Sequence, residues 1–246
     1  MDDLVRRDDD AGVATLTLNR PEKHNALTIA MFARLRAHVA DLAAATDTVG
    51  CVLVRGAGRS FCSGNDLAAI AAGETAPDPH FQARIIEELA ELPQPVVAAV
   101  HGACFAGGLE LALAADLIVA AESARFADVH ARWAMTPVWG LSQRLPRRVG
   151  VAKAKEMMFT TAVYTGRQAE AMGLCTTCLP DDEFDEGVLE LCRRIADNSW
   201  FTHRMTKRLL TETETARLRD GLAYEALHSG ALGPDAADRL ARFTNR

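Results

Sequence analysis

Pro95-Val-Val-Ala-Ala-Val-His-Gly-Ala-Cys-Phe-Ala-Gly-Gly-Leu-Glu-Leu-Ala-Leu-Ala-Ala-Asp116 is the stretch on which the fold turns. Pro95 to Val100 is a short apolar run rich in β-branched residues, the mark of a buried strand. His101 and Gly102 break it, and Gly107 to Ala115 resumes with leucines and alanines as a helix. Leu117 to Ala120 follows as a further strand. Upstream, Val13 to Leu18 alternates apolar and polar residues, a half-buried strand. Leu27 to Ala45 places Leu27, Met31, Leu35, Val39 and Leu42 on one helical stripe. Cys51 to Val54 is another strand, and Phe81 to Leu92 a helix with Phe81, Ile85, Leu89 and Leu92 on one face. Strands that alternate with helices pair in parallel through right-handed crossovers, so the class is α/β.

Downstream of about residue 145 the pattern turns helical. Val151 to Thr161, Arg167 to Met172, Asp182 to Asp197, Phe201 to Thr211 and Thr215 to His228 read as helices, interrupted by a short strand from Leu174 to Leu179. Ala72 to Pro79 reads as a surface loop. The 246 residues fit one α/β domain, with or without a small appendage. A hydrophobic share of 49% against 24% charged residues suffices for a sizeable core. A net charge of −6, with no basic stripe, argues against nucleic acid as a partner. No apolar run reaches the roughly 18–20 residues that cross a bilayer. The start, Met1-Asp2-Asp3-Leu4, lacks the features of a signal peptide, and the expected location is cytoplasmic. The six cysteines are expected reduced and mostly buried there. Cys175-Thr-Thr-Cys178 is a CxxC without a second ligand pair, lying in a strand-like segment, and reads as structural.

Two glycine-containing turns at strand ends draw the chemistry together. Gly58 to Leu67 follows the strand at Cys51, and His101 to Leu111 opens the helix at Gly107. Glycine lets a backbone approach a ligand closely, and unpaired N–H groups at a helix start favour negative charge. Two such turns, if they converge, would supply two backbone donors to one oxygen; taken alone, Gly107-Gly108 reads equally as a tight helix start. The first turn lacks the Gly-Lys-Ser/Thr ending of a P-loop. Ser63 lacks the frame of a nucleophile elbow. No cluster has convincing metal spacing.

Taken in order, the segments resemble the crotonase (enoyl-CoA hydratase/isomerase) family. The resemblance rests on Leu18 to Leu27, Ser60 to Leu67, Pro95 to Gly102, Ala106 to Asp116, Ala124 to Asp128, Gly140 to Gly150 and Tyr164 to Leu174. It implies a ββα spiral core over residues 1–180 with the acyl-CoA site, then a helical trimerisation region over residues 181–246. It implies self-association as a trimer or hexamer. It implies an acyl-CoA thioester substrate and no cofactor beyond the CoA of that substrate. The N–H groups of Asn65 and Gly107 would form an oxyanion hole for the thioester oxygen. Lys23, Ala26, Gly64, Asp66, Leu67 and Ala68 would line the path of the CoA. Members often place a cation where this chain has Ala68, so the charge for CoA must come from elsewhere, with Lys23 and Arg20 as candidates.

In a hydratase of this family two glutamates flank one water. The first maps onto Glu110, three residues past Gly107 on the same helical face. The second falls on His130 in Phe126-Ala-Asp-Val-His-Ala-Arg132, a departure from the pattern. Histidine transfers protons near pH 7, so His130 either replaces the acid, hydrogen-bonded to Glu110, or only orients water and shapes the pocket. Trp133, Met135, Val138 and Trp139 either wall an acyl pocket or pack in the core. His24 and His101 read as hydrogen-bonded loop histidines. The tail from Gly233 to Arg246 holds basic residues expected to reach CoA, across a subunit boundary if need be. The expected activity is hydration of a trans-2-enoyl-CoA to the 3-hydroxyacyl-CoA. Another reaction of the family (isomerase, decarboxylase or hydrolase) and a catalytically weak acyl-CoA-binding homologue are the alternatives.

Overall fold

The computed structural model describes residues 4–230 and 232–244. Met1 to Asp3 of the acidic start and Asn245 and Arg246 of the tail lie outside the described residues. Strand β1 (Val5–Asp10) forms a hairpin with β2 (Val13–Leu18) in the register Val5 to Leu18 and Asp10 to Val13. Its two-residue turn, Ala11-Gly12, has positive φ at both positions, which suits the twist of the paired strands. The periodicity of the sequence does not announce β1, because Arg6 to Asp10 is charged throughout. A charged, largely exposed strand at the sheet edge is protected from pairing with other chains.

Helix α1 (Ile29–Ala44) starts at Thr28, whose hydroxyl accepts the Met31 N–H. Leu27, expected inside that helix, instead pairs with Asn65 across a short parallel bridge. Strand β3 (Cys51–Gly56), the short α2 (Leu67–Ala71), α3 (Phe81–Ala90), β4 (Val96–Val100) and β5 (Ala103–Phe105) follow. Next come α4 (Gly107–Leu113), β6 (Leu117–Ala121), β7 (Arg125–Ala127), a 3-10 turn over His130–Trp133, α5 (Leu141–Val149) and α6 (Val151–Thr160). The chain ends with β8 (Tyr164–Thr165), α7 (Gly166–Ala171), β9 (Thr177–Leu179), α8 (Phe184–Ala196), α9 (Trp200–Thr213), α10 (Leu218–His228) and α11 (Ala236–Thr244).

The larger sheet has the order β1-β2-β3-β4-β6-β9, parallel everywhere except at the β1–β2 edge. Both faces of its central strands are covered, so those strands read as continuous apolar runs. Val52 and Val54 face the main core with α1 and α3, while Cys51 and Leu53 turn toward Phe184, Val188 and Cys192 of α8. A small second sheet, β5-β7-β8, stands where the sequence suggests a plain turn from strand to helix. Three-residue strands are too short to show a period, and β5 follows the break at His101-Gly102. The helix α5 holds Pro146 within it, which hides it from pattern reading. Helices α9 and α10 bury no side chain. Among the described residues no helix is long and apolar enough to cross a membrane.

Candidate active site

The two glycine-containing loops leave the carboxyl ends of β3 and β4 and meet. Asn25, fully buried, ties the first loop down: its amide donates to the carbonyls of Ala57, Ser60 and Phe61, and its oxygen accepts the Arg20 N–H. Leu27 then accepts from Asp66 and donates to Gly64 on either side of Asn65. In such a parallel bridge the intervening residue turns its own N–H the other way. The Asn65 N–H has no acceptor among the described residues, and Asn65 faces a cavity. Gly64 has φ +102, and a Cβ built on it would stand 3.3 Å from the Gly107 nitrogen. Glycine therefore permits both this backbone conformation and the approach of the two loops.

The second loop is braced by the Cys62–Cys104 bridge, through the bonds Cys62 N–H to Ala103 and Phe105 N–H to Cys62. Ala106, with φ +45 and ψ −113, holds an unfavourable conformation just before α4. The first intrahelical donor is Glu110, so the Gly107 N–H at the helix start is left without an acceptor among the described residues. Two backbone donors from two loops thus border one cavity of about 340 Å³, lined also by Leu67, Glu110, His130, Trp133 and Trp139.

Glu110 projects from α4 into this cavity and is 1% exposed. One carboxylate oxygen accepts the N–H groups of Trp139 (2.7 Å) and Leu141 (3.2 Å). The other lies 3.7 Å from His130 Nε2. Burial pushes the Glu110 carboxyl above its usual range, against the pull of those two N–H groups and of His130. His130 is 9% exposed, and its Nδ1 lies 2.6 Å from Asp128 Oδ1. Burial depresses the imidazole, but the hydrogen bond and charge of Asp128, with the charge of Glu110, outweigh it and raise its pKa overall. The expected hydrogen bond between His130 and Glu110 is therefore not made: the imidazole bonds to Asp128, and 3.7 Å separates it from Glu110. Asp128, buried at 1% exposure, escaped the sequence reading as a site residue. The signal was present, since an Asp two residues before a His can bond both its main-chain N–H and its ring.

A second cavity of about 420 Å³ adjoins the first, sharing Ser63, Asn65, Leu67, Val129 and Trp133. Lys23, Ala26, Asp66 and Ala68 line it. Gly64 lines neither cavity and serves the loop backbone instead. Arg20 is otherwise engaged: its guanidinium bonds the Ala26 carbonyl (2.6 Å) and Asp66 (3.0 Å). Asp66 also caps α2 through the Ala68 and Ala69 N–H groups. Burial works against ionisation of Asp66, yet the Ala69 and Ala68 N–H groups and Arg20 hold its pKa below the ordinary value. Lys23 is exposed at the cavity wall.

Trp139 is buried, meets the Phe32 ring edge-on at 5.0 Å and covers Gly107, so it is both cavity wall and core. Trp133 is largely exposed at the mouth. His24 bonds Ser60 and Arg59, and His101 bonds the Gly58 carbonyl, so both brace loops. Cys175 and Cys178 are buried, and burial pushes the Cys175 thiol up to about 12, away from thiolate chemistry. In the tail, Arg239 pairs with Asp235 and does not line either cavity.

A mostly parallel spiral core with two backbone donors facing a buried carboxylate is the arrangement of the crotonase fold. The chain superposes with a TM-score of 0.91 on the crystal structure of an enoyl-CoA hydratase from Bacillus anthracis, 30% identical, covering 98% of this chain and 96% of the other. It belongs to the enoyl-CoA hydratase/isomerase family, whose model matches residues 8–233. A relative in Arabidopsis thaliana named "Probable enoyl-CoA hydratase 1, peroxisomal" is 36% identical over 76% of this chain and 70% of its own length. The 1,2-epoxyphenylacetyl-CoA isomerase of Escherichia coli is 32% identical over 92% of this chain and 88% of its own.

Proposed function

We propose that the protein is an enoyl-CoA hydratase, adding water across a trans-2-enoyl-CoA to give the 3-hydroxyacyl-CoA. The observation that carries this reading is that two N–H groups without an acceptor among the described residues, those of Asn65 and Gly107, border the same cavity as Glu110 and His130. The thioester oxygen accepts from both N–H groups. As hydroxide adds to the β-carbon, charge moves onto that oxygen, and donors already in place stabilise it without reorganising. Glu110 takes the proton of the attacking water, and its raised pKa makes it a stronger base than an ordinary carboxylate. His130, protonated through its contact with Asp128, delivers the proton to the α-carbon. At 3.7 Å the two side chains share no hydrogen bond, yet each charge acts on the other.

Lys23, at the wall of the outer cavity, meets the CoA phosphates; Arg20 serves the loop by holding Asp66. The exposed leucines of α9 and α10, Leu218 and Leu227 at 80% among them, support self-association as a trimer or hexamer.

A second reading has a specific support, a relative named Delta(3,5)-Delta(2,4)-dienoyl-CoA isomerase, 30% identical over 94% of this chain: a double-bond shift needs the same oxyanion hole and a group that removes a proton and returns it. The deciding experiment follows enoyl-thioester absorbance with crotonyl-CoA and a longer enoyl-CoA, for wild type and Glu110→Gln. Turnover lost in the variant, with 3-hydroxyacyl-CoA as product, establishes hydration. Bound thioester that is never consumed sinks that assignment for those substrates and moves it to another reaction of the family or to binding alone.

A further inference from the structure

Where a second carboxylic acid is expected this chain has His130, and the structure supplies that histidine with a carboxylate of its own. We propose that Asp128 is a positioning residue of the reaction: it fixes the His130 imidazole with Nδ1–H bound and Nε2 turned to Glu110 and the substrate cavity. This rests on the reading of His130 as a proton-transfer group given above.

The geometry is specific. Asp128 Oδ1 lies 2.6 Å from the ring Nδ1 and accepts the main-chain N–H of His130 at 3.1 Å, so ring and backbone are clamped to one atom. An ionised carboxylate only accepts, so Nδ1 must carry the proton. In the neutral ring the lone pair then sits on Nε2, which faces Glu110 at 3.7 Å and lines the cavity. Asp128 itself lines neither cavity, so it reaches the chemistry through the imidazole alone. The carboxylate–imidazole pair recurs wherever a histidine must keep one tautomer and bear a transient charge.

The charged groups that act on the ring are Asp128, from its own segment, and Glu110 from α4. Arg132, in the same 3-10 turn, is held by Thr161 through its side-chain and main-chain oxygens. On α6, which packs against that turn, Lys153 pairs with Glu156 and Lys155 is exposed. Removing the Asp128 charge therefore leaves Glu110 as the anion beside the ring, and the imidazole becomes easier to deprotonate.

The test combines a spectrum with kinetics. In nitrogen-15 histidine spectra of the ligand-free protein, neutral His130 is expected protonated on Nδ1, and Asp128→Asn is expected to lower its titration midpoint. In steady-state assays of the enoyl-CoA reaction, Asp128→Asn is expected to lower kcat roughly 10²-fold, the low end of what a positioned proton-transfer group contributes. KM should change by less than about 3-fold and the alkaline limb of the kcat profile should move to lower pH, because binding stays with the loops while the acid is lost earlier. Asp128→Glu, which keeps the carboxylate, should recover part of kcat. A neutral His130 protonated on Nε2, or a variant with wild-type kcat and pH profile, overturns the proposal. The spectrum needs no substrate, so a wild-type protein with no hydratase activity but an Nδ1-protonated His130 would overturn the hydration reading and leave the clamp standing. If Asp128→Asn fails to fold, the tautomer in the wild-type protein and the Asp128→Glu profile still decide.

Discussion

The two walls of the cavity are built from different parts of the chain. One wall is main chain: the N–H groups of Asn65 and Gly107, placed by the bridge at Leu27 and by the start of α4. The other is side chain: Glu110 and His130, placed by hydrogen bonds and buried, with Asp128 behind the imidazole. On the first wall, residue identity matters only through the space it fills. On the second, replacing a single atom changes the chemistry. The two walls touch at Trp139, whose ring covers Gly107 while its N–H holds Glu110.

Substitutions can break this contrast, and the side-chain wall should respond most. His130→Ala removes the proposed proton donor and opens a void, and turnover of an enoyl-CoA should fall by about 10²–10⁴-fold. His130→Gln, which fills the space without titrating, should fall nearly as far. Turnover within a few-fold of wild type in His130→Gln would show that the ring only shapes the pocket.

Gly107→Ala tests the junction of the two walls. The added Cβ would overlap the Trp139 ring, so either the ring or the start of α4 must move. Loss of one donor at an oxyanion costs roughly 10²–10³-fold in kcat, and the disturbed ring should add a lowered melting temperature. If both values match wild type, the Gly107 N–H is not placed by this contact. Asn65→Ala leaves the main-chain N–H where it is, and kcat should change by less than about 10-fold, since only the main-chain donor is needed for an oxyanion. A loss as large as that of Gly107→Ala would transfer the role from the backbone to the Asn65 amide.

The same contrast explains how much the amino-acid sequence alone reveals. Long elements with a clear period were legible: β2 matches its expected bounds, and α1 and α3 differ only by a few residues at their ends. Asn65 and Gly107, named by resemblance, line one cavity, because glycine patterns record where a backbone must bend. Strand β1 was hidden because its outward edge is charged, and β5, β7 and β8 because they are too short to show periodicity. The partner of His130 was misjudged for another reason. Sequence mapping aligns His130 with an acid facing Glu110, but a hydrogen bond goes to the acceptor in reach, and the turn at Val129 brings Asp128 to 2.6 Å. Arg20 shows the same effect: its guanidinium bonds Asp66 and the Ala26 carbonyl, contacts that sequence mapping does not reveal.

The smallest expected effect is on stability and comes from the side-chain wall alone. Both Glu110 and His130 hold a proton more tightly in the folded protein: Glu110 because burial disfavours its anion, His130 because Asp128 and Glu110 overcome the effect of its burial. A group whose pKa is higher folded than unfolded stabilises the fold at pH values where it is protonated, and that contribution disappears as pH rises through the folded value. For Glu110 the loss begins above the ordinary carboxylate range; for His130 it begins above about 6.5, the ordinary histidine value. The melting temperature should therefore fall as pH rises beyond that point. Every tenfold difference in proton affinity between the folded and unfolded chain is worth about 1.4 kcal/mol, or roughly 3–6 °C for a chain of this size. His130→Gln should flatten the histidine part of the fall and leave the Glu110 part at lower pH. Main-chain donors do not titrate here, so Asn65→Ala should keep the wild-type slope. A melting temperature that rises across the same interval would mean that burial wins at His130 and the ring is held neutral, which would remove the acid from the side-chain wall.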